Sequence, residues 1–189
     1  MSPSFHLKRK LLGDLTAHGQ IIPYGEMFFR LYDPNFDTIV DSYDEKDWRL
    51  IFKGLKEEDM VDLNTCDNVV ILMWCDKEYQ RKHGMLYLEE SFKNPNEVSF
   101  HGGTWDHDPK YFVGIFHSLI GLFLQLLSYG FRIVTTCGID NRRADKFQNR
   151  LFFEEVNRDD SVVYKVLNKE KFEQSDIVKR IKRNILPRC

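Results

Sequence analysis

Cysteine is scarce in this chain of 189 residues: there are four, Cys66, Cys75, Cys137 and Cys189, and no two of them form a C-x-x-C pair. That spacing indicates neither a zinc site nor a disulfide framework, and it suits a reducing, cytoplasmic compartment. An excess of charge of either sign is also lacking. The 27 Lys and Arg against 29 Asp and Glu leave a formal net charge of −2. A chain built as a whole to coat nucleic acid needs clustered cations to neutralise phosphate, so no nucleic-acid partner is expected. Residues 1–20 contain no uninterrupted apolar core ahead of a small-residue cleavage site, so no secretory signal is visible. Long apolar runs reduce to the stretch from Tyr111 to Leu127. His117, Ser118 and Gln125 interrupt it, and it falls short of the roughly twenty residues of a membrane span, so a buried helix is expected and no membrane partner. No internal repeat, low-complexity tract or interdomain linker is apparent.

Aromatic residues, by contrast, are plentiful: they make up 14% of the chain, and fifteen of them are Phe. They imply a bulky core or an apolar cleft, and the burial preference of Phe favours the core. With 42% hydrophobic and 30% charged residues, the composition is that of a globular protein. The length suffices for one domain with a substantial core.

Near the start, Lys8, Arg9 and Lys10 precede Leu11, Leu12 and Leu15. This segment is either a short docking helix or strand that covers the domain, or an ordinary surface extension. Met27 to Tyr32 and Phe36 to Val40 read as extended segments separated by the turn-forming trio Asp33, Pro34 and Asn35. A helix is predicted next. Ser42 and Glu45 have capping-box spacing, and Trp48, Ile51, Phe52 and Leu55 share one face. Val69 to Trp74 is a near-continuous apolar run that suits a strand covered on both faces. Met85 to Leu88 is its hairpin partner across the polar connection Asp76 to His83. Glu97 to Trp105 is a third antiparallel member after the turn at Asn94, Pro95 and Asn96.

From Glu97 onward the pattern becomes β-α-β-α. The strand is followed by a helix over Tyr111 to Tyr129 that ends on Gly130, a residue suited to a left-handed C-cap. A strand over Phe131 to Cys137 and a second helix over Asp140 to Phe153 follow, and Ser161 to Leu167 adds a further strand. The fold class is therefore α/β, an α+β arrangement with a mixed, mainly antiparallel sheet and helices on both faces. The tail from Ser175 to Cys189 places Ile177, Ile181 and Ile185 on one stripe among Lys179, Arg180, Lys182 and Arg183. It reads as a basic amphipathic helix, docked through its isoleucines rather than lying on a membrane or nucleic acid.

The densest chemical cluster is Trp105, Asp106, His107 and Asp108. An imidazole between carboxylates beside a helix start can move protons near neutral pH. Asp108 followed by Pro109 is also an N-cap and N1 pair. A carboxylate capping that helix occupies donors that a bound anion would need. Within the helix, Gly114, Ser118, Gly121 and Gln125 form a small or polar stripe that permits close approach by the sheet, a pantetheine-like arm or another helix. Packing on the sheet is expected. His117 reads as a core histidine.

From about Met27 to Phe172 the chain resembles the GNAT superfamily of N-acyltransferases. The resemblance rests on Asn141, Ala144, Leu151 and Phe153, which fall on the family's N-x-x-A…L-G-F pattern, and on Pro109 and Tyr111, which match its P-x-Y. The chain departs from the family in its diphosphate loop, Q/R-x-x-G-x-G/A, whose key positions hold Phe112, Ile115 and His117. The frequent general-acid tyrosine falls on Gln148, the glycine before the final phenylalanine on Phe152, and the frequent base glutamate near Gly103. The resemblance implies a GNAT-like domain over residues 27–172, with an extension at 1–26 and a basic helical tail at 173–189. It also implies acetyl-CoA or another acyl-CoA as cofactor, a small-molecule or peptide amine as acceptor, and compatibility with a homodimer. On this alignment Trp105, Lys110, Tyr111, Phe112, Val113, Gly114, Asn141 and Arg143 would border the cofactor, and His107 and Asp106 would be the proton acceptors. No metal is implied. The alternative is a non-catalytic GNAT-like domain that has lost the cofactor site and binds another protein or ligand.

Overall fold

The computed structural model describes residues 5–18, 27–37, 56–76, 81–105 and 108–185. The expected helix from Ser42 to Leu55, the segment 38–40, the pair Asp106 and His107, and Cys189 lie outside the described residues. Among the described residues seven strands form one sheet: β1 (Met27–Leu31), β2 (Val69–Asp76), β3 (Lys82–Glu90), β4 (Glu97–Thr104), β5 (Arg132–Gly138), β6 (Phe153–Arg158) and β7 (Val162–Leu167). Their order is β1-β2-β3-β4-β5-β7-β6. Every neighbouring pair is antiparallel except β4 and β5, which run parallel. A parallel pair needs a crossover, and the long apolar helix supplies it. The helices are α1 (Leu7–His18), α2 (Glu57–Thr65), α3 (Pro109–Ser128), α4 (Arg142–Arg150), α5 (Lys169–Gln174) and α6 (Asp176–Ile185).

Side-chain alternation divides the core between the two faces of the sheet. On β2, Val70, Leu72 and Trp74 join the larger core beneath α3, while Val69, Ile71, Met73 and Cys75 join a smaller core with Met60 of α2. All of β2 is buried, as a strand covered on both faces should be. The N-terminal segment is a helix whose Leu7 and Leu11 are fully buried in the larger core. Its start is held from across the chain: Glu90 Oε2 accepts from the backbone N–H groups of His6 and Leu7, each at 2.8 Å. At the other terminus, α6 inserts Val178 and Ile181 into the same core, and Ile177 packs at its border.

Helix α3 begins and ends where its sequence dictates. Asp108 is the N-cap, its Oδ1 accepting from Lys110 N at 3.0 Å, and Pro109 occupies the first turn. Gly130 follows with φ 87°, the left-handed conformation that lets the chain leave the helix. Two members of the small stripe, Gly114 and Ser118, face the sheet. A Cβ added at Gly114 would lie 2.6 Å from Met27 Cγ. Ser118 Oγ accepts from the Trp74 indole at 2.9 Å and donates to the Ile115 carbonyl at 2.9 Å. This helix is long and apolar enough to cross a membrane by length and composition alone. In the fold its Ile115, Leu119, Ile120, Leu122, Phe123 and Leu126 fill the core.

Four expectations need correction. Phe36 does not open a strand: it lies in a turn, 80% exposed, where Phe36 N and Asp37 N both donate to Asp33 O. The turn is pinned by buried Asp37, whose carboxylate takes two hydrogen bonds from Arg30 at 2.7 and 2.6 Å. The connection is shorter than Asp76 to His83, and both of those residues are buried. The strands run into it, Asp76 and His83 are 3% and 0% exposed, and His83 Nε2 lies 2.8 Å from Asp76 Oδ2. The helix after β5 ends at Arg150, and Phe153 opens β6, a polar edge strand with no apolar alternation to reveal it. His117 is half-buried rather than in the core. Its pKa is lowered, first by desolvation and then by Arg180 of α6.

Candidate functional site

The sheet forks. The β4–β5 ladder runs from Glu97 opposite Arg132 to Phe100 opposite Thr135 and stops there. Beyond that point β4 continues to Thr104 paired with β3, and β5 continues to Gly138 paired with β7. The carboxyl ends of two parallel strands therefore part just where the chain leaves β4 and enters α3. In open sheets this is the place where a ligand meets the amino end of a helix.

The vertex of the fork is polar. Thr135 Oγ1 donates to the Phe100 carbonyl at 2.7 Å, and Gln148 Nε2 from α4 donates to Thr135 Oγ1 and to the Thr136 carbonyl, both at 3.2 Å. Gln148 is 6% exposed, and its Oε1 has no hydrogen-bond partner. The neighbouring face of α4 is equally polar. Lys165 Nζ, on a side chain 2% exposed, lies 2.5 Å from Asp145 Oδ1 and 2.6 Å from Asn149 Oδ1. Strand alternation would have revealed Lys165, since it falls on the inward face with Val163 and Leu167. An open pocket of about 170 Å³ lies at the end of β5, lined by Cys137, Gly138, Ile139, Arg142, Asp145, Arg158 and Val163.

At the start of α3 the expected cofactor residues point in different directions. Asp108 already engages Lys110 N, and Lys110 Nζ stands 3.6 Å from Asp108 Oδ2 and 4.5 Å from the centre of the Tyr111 ring. The Lys110 ammonium is held above its ordinary pKa, first by Tyr111 and then by Asp108. Tyr111 turns inward onto His83, ring centres 4.0 Å apart. Gly114 also faces inward, against Met27. Phe112 and Val113 turn outward, 43% and 57% exposed. Phe112, Phe116 and Phe147 form an aromatic trio bridging α3 and α4, with ring centres 6.0 to 6.4 Å apart.

The remaining expected residues have structural roles or stand apart. Trp105 borders the smaller core and donates its indole N–H to the Lys82 carbonyl at 2.9 Å. Asn141 caps α4, accepting from Ala144 N at 3.0 Å. Arg143 is exposed on α4. Sequence reading missed the Asp76–His83 pair for a physical reason. Trp74 pairs with Gly84 and Cys75 with Lys82, so His83 is an extra, bulged residue in β3, and a bulge breaks the alternation that assigns faces.

No family sequence model matches the chain, and no curated protein matches it by sequence. Solved structures do match by shape. A GCN5-related N-acetyltransferase from Brucella melitensis superposes with TM-score 0.67 at 11% identity, covering 88% of this chain and 85% of that one. Spermidine N-acetyltransferase from Vibrio cholerae, solved in complex with CoA and spermine, gives TM-score 0.59 at 15% identity, covering 78% of this chain and 98% of that one. The chain therefore has the GNAT fold.

Proposed function

We propose that the protein is an acyl-CoA-dependent N-acyltransferase, with acetyl-CoA or another acyl-CoA as donor and a small-molecule or peptide amine as acceptor. The observation that carries this reading is the fork between β4 and β5 beside the start of α3. The fork suits the pantetheine arm, and the helix start, beside Lys110 to Gly114, is where the diphosphate would lie, with Asn141 nearby and Arg143 as a second cation.

Acyl-CoA, when bound, would supply a thioester. A neutral amine would attack its carbonyl carbon, forming the C–N bond as the C–S bond breaks, and the sulfur would leave and take up a proton as the thiol. The protein's part is chiefly positioning, with backbone N–H groups polarising the carbonyl. His107 and Asp106 are the proposed acceptors of the proton that the amine sheds. Such a mechanism survives the loss of the family's tyrosine and glutamate better than it survives loss of the cofactor cradle.

A second reading is favoured by the start of α3 itself. Asp108 occupies a donor that a phosphate would use, and Phe112 and Phe116 make an apolar surface where a glycine-rich loop would allow close approach. On that reading the domain binds a protein or ligand without catalysis.

Calorimetry with CoA on the wild type and on Asp108→Ser separates the two. Ser keeps a capping oxygen but removes a negative charge, worth about 0.3–1 kcal/mol at a helix start. The acyltransferase reading expects weak binding that becomes about two- to fivefold tighter in the variant. If neither form binds at millimolar CoA, or the Ser form binds more weakly, the loop is a structural cap and the second reading stands.

A further inference from the structure

The pocket at the end of β5 holds more positive than negative charge. Its walls come from the start of α4, which supplies Arg142 and Asp145, and from the β6–β7 hairpin, which supplies Arg158 and Val163. Two cations there are already matched. Arg158 donates to both oxygens of Glu155, at 2.9 and 2.7 Å, and Lys165 pairs with Asp145. Arg142 is exposed, and its guanidinium makes no hydrogen bond or ion pair with the described residues. Setting Arg142, Arg158 and Lys165 against Asp145 and Glu155 therefore leaves one positive charge unmatched.

Little else offsets that charge. Among the described residues Asp145 is the only acid lining the pocket. Asp159, in the hairpin turn, is engaged by its own loop, accepting from Ser161 N, Ser161 Oγ and Val162 N on Oδ1 and from the Tyr164 hydroxyl on Oδ2. Burial pushes the Cys137 thiol above its ordinary pKa, so at neutral pH it carries no charge. Together with Val163 and Ile139, which is 41% exposed, it gives the pocket an apolar wall. The volume of about 170 Å³ lies below the roughly 300–1,000 Å³ of sites for drug-sized ligands, so the occupant is small.

We propose that this pocket binds a small carboxylate with a short aliphatic body, the carboxylate pairing with Arg142 beside Arg158 and the carbons lying against Ile139, Val163 and Cys137. A planar guanidinium matches a carboxylate with two parallel hydrogen bonds. One unmatched positive charge suits a monoanion better than a dianionic phosphate, which also gains nothing from the apolar wall. The inference goes beyond the acyl-CoA reading and needs neither CoA nor the sheet fork.

The test titrates sodium butyrate into the wild type at an ionic strength held constant with chloride, followed by the backbone amide resonances of residues 137–142 and the side-chain Nε–H of Arg142. The shifts should saturate, and butyramide, with the same carbons and no charge, should not produce them. Arg142→Gln should weaken butyrate binding about three- to tenfold, the scale of a charge-assisted hydrogen bond discounted for exposure. Lys182→Gln removes an equal charge from exposed α6 and should change nothing. Failure to saturate, equal shifts with butyramide, or equal weakening by the two variants would overturn the proposal. Tighter binding of inorganic phosphate than of butyrate would also overturn it, assigning the pocket to phosphate. Should Arg142→Gln fail to fold, Glu155→Gln still decides: releasing Arg158 should tighten butyrate binding about two- to fivefold, and an unchanged affinity would refute the site. Loss of the acyl-CoA reading would leave every one of these outcomes standing.

Discussion

Asp37 shows how a single residue organises its surroundings. Its side chain is fully buried, with Arg30 at 2.6 Å and Lys82 at 3.3 Å from its Oδ1. Burial by itself would raise the carboxyl's pKa, but the hydrogen bonds from Arg30 and from the Asp33 backbone, with Lys82 beyond them, outweigh it and hold the group below its ordinary value of 3.8. A depressed carboxyl contributes stability that is fully present above the unfolded pKa and is lost as pH falls through the folded one. The wild type should therefore lose more stability than Asp37→Asn as pH is lowered from about 5 toward 2, a window set by that direction of shift. Urea midpoints measured along the series should converge, and parallel curves would refute the role given to Asp37. At this scale the sequence is legible where chemistry is local. Asp108 beside Pro109 spells a helix cap without any tertiary information, and the structure has that cap. Gln148 and His83 are not legible, because their roles depend on partners across the sheet and, for His83, on a bulge.

Helix α3 is the element on which both fold and site depend. Its apolar run, its cap and its terminal glycine identify it in sequence, and Gly114 and Ser118 of its small stripe pack on the sheet as the periodicity implies. What periodicity could not supply was the direction taken by each residue of the first turn, with Tyr111 and Gly114 inward and Phe112 and Val113 outward. Gly114→Ala separates two effects of opposite sign. Helix propensity alone would make alanine more stable by about 0.8–1.0 kcal/mol. Here the added Cβ would meet Met27 Cγ at 2.6 Å, and overpacking costs about 1–3 kcal/mol. The clash should win, lowering the urea midpoint; a raised midpoint would show that Met27 yields freely. Strand β6 marks the limit of pattern reading at this scale. An edge strand exposed at every position but the first carries no alternation, so only its pairing with β7 reveals it.

At the scale of the fold, strand order and the parallel pairing of β4 with β5 create the fork, and helices α1 and α6 help to complete the larger core. Leu7 and Leu11 of α1 and Val178 and Ile181 of α6 all belong to the larger core. The Glu90 carboxylate ties α1 to β3 across the chain. The architecture was legible because long apolar runs and turn residues punctuate the sequence at strand and helix lengths. The site was less so, because a fork is a property of ladder register, set by which rung is the last to form.

Hydrogen exchange by mass spectrometry in the presence and absence of CoA tests the central claim, that the fork and the start of α3 hold the cofactor. The account predicts slowed exchange in residues 101–104, 110–114 and 136–138, with β1, β2 and α6 unchanged. Protection confined to the basic face of α6 at Lys179, Arg180 and Arg183, or no protection at millimolar CoA, would contradict it.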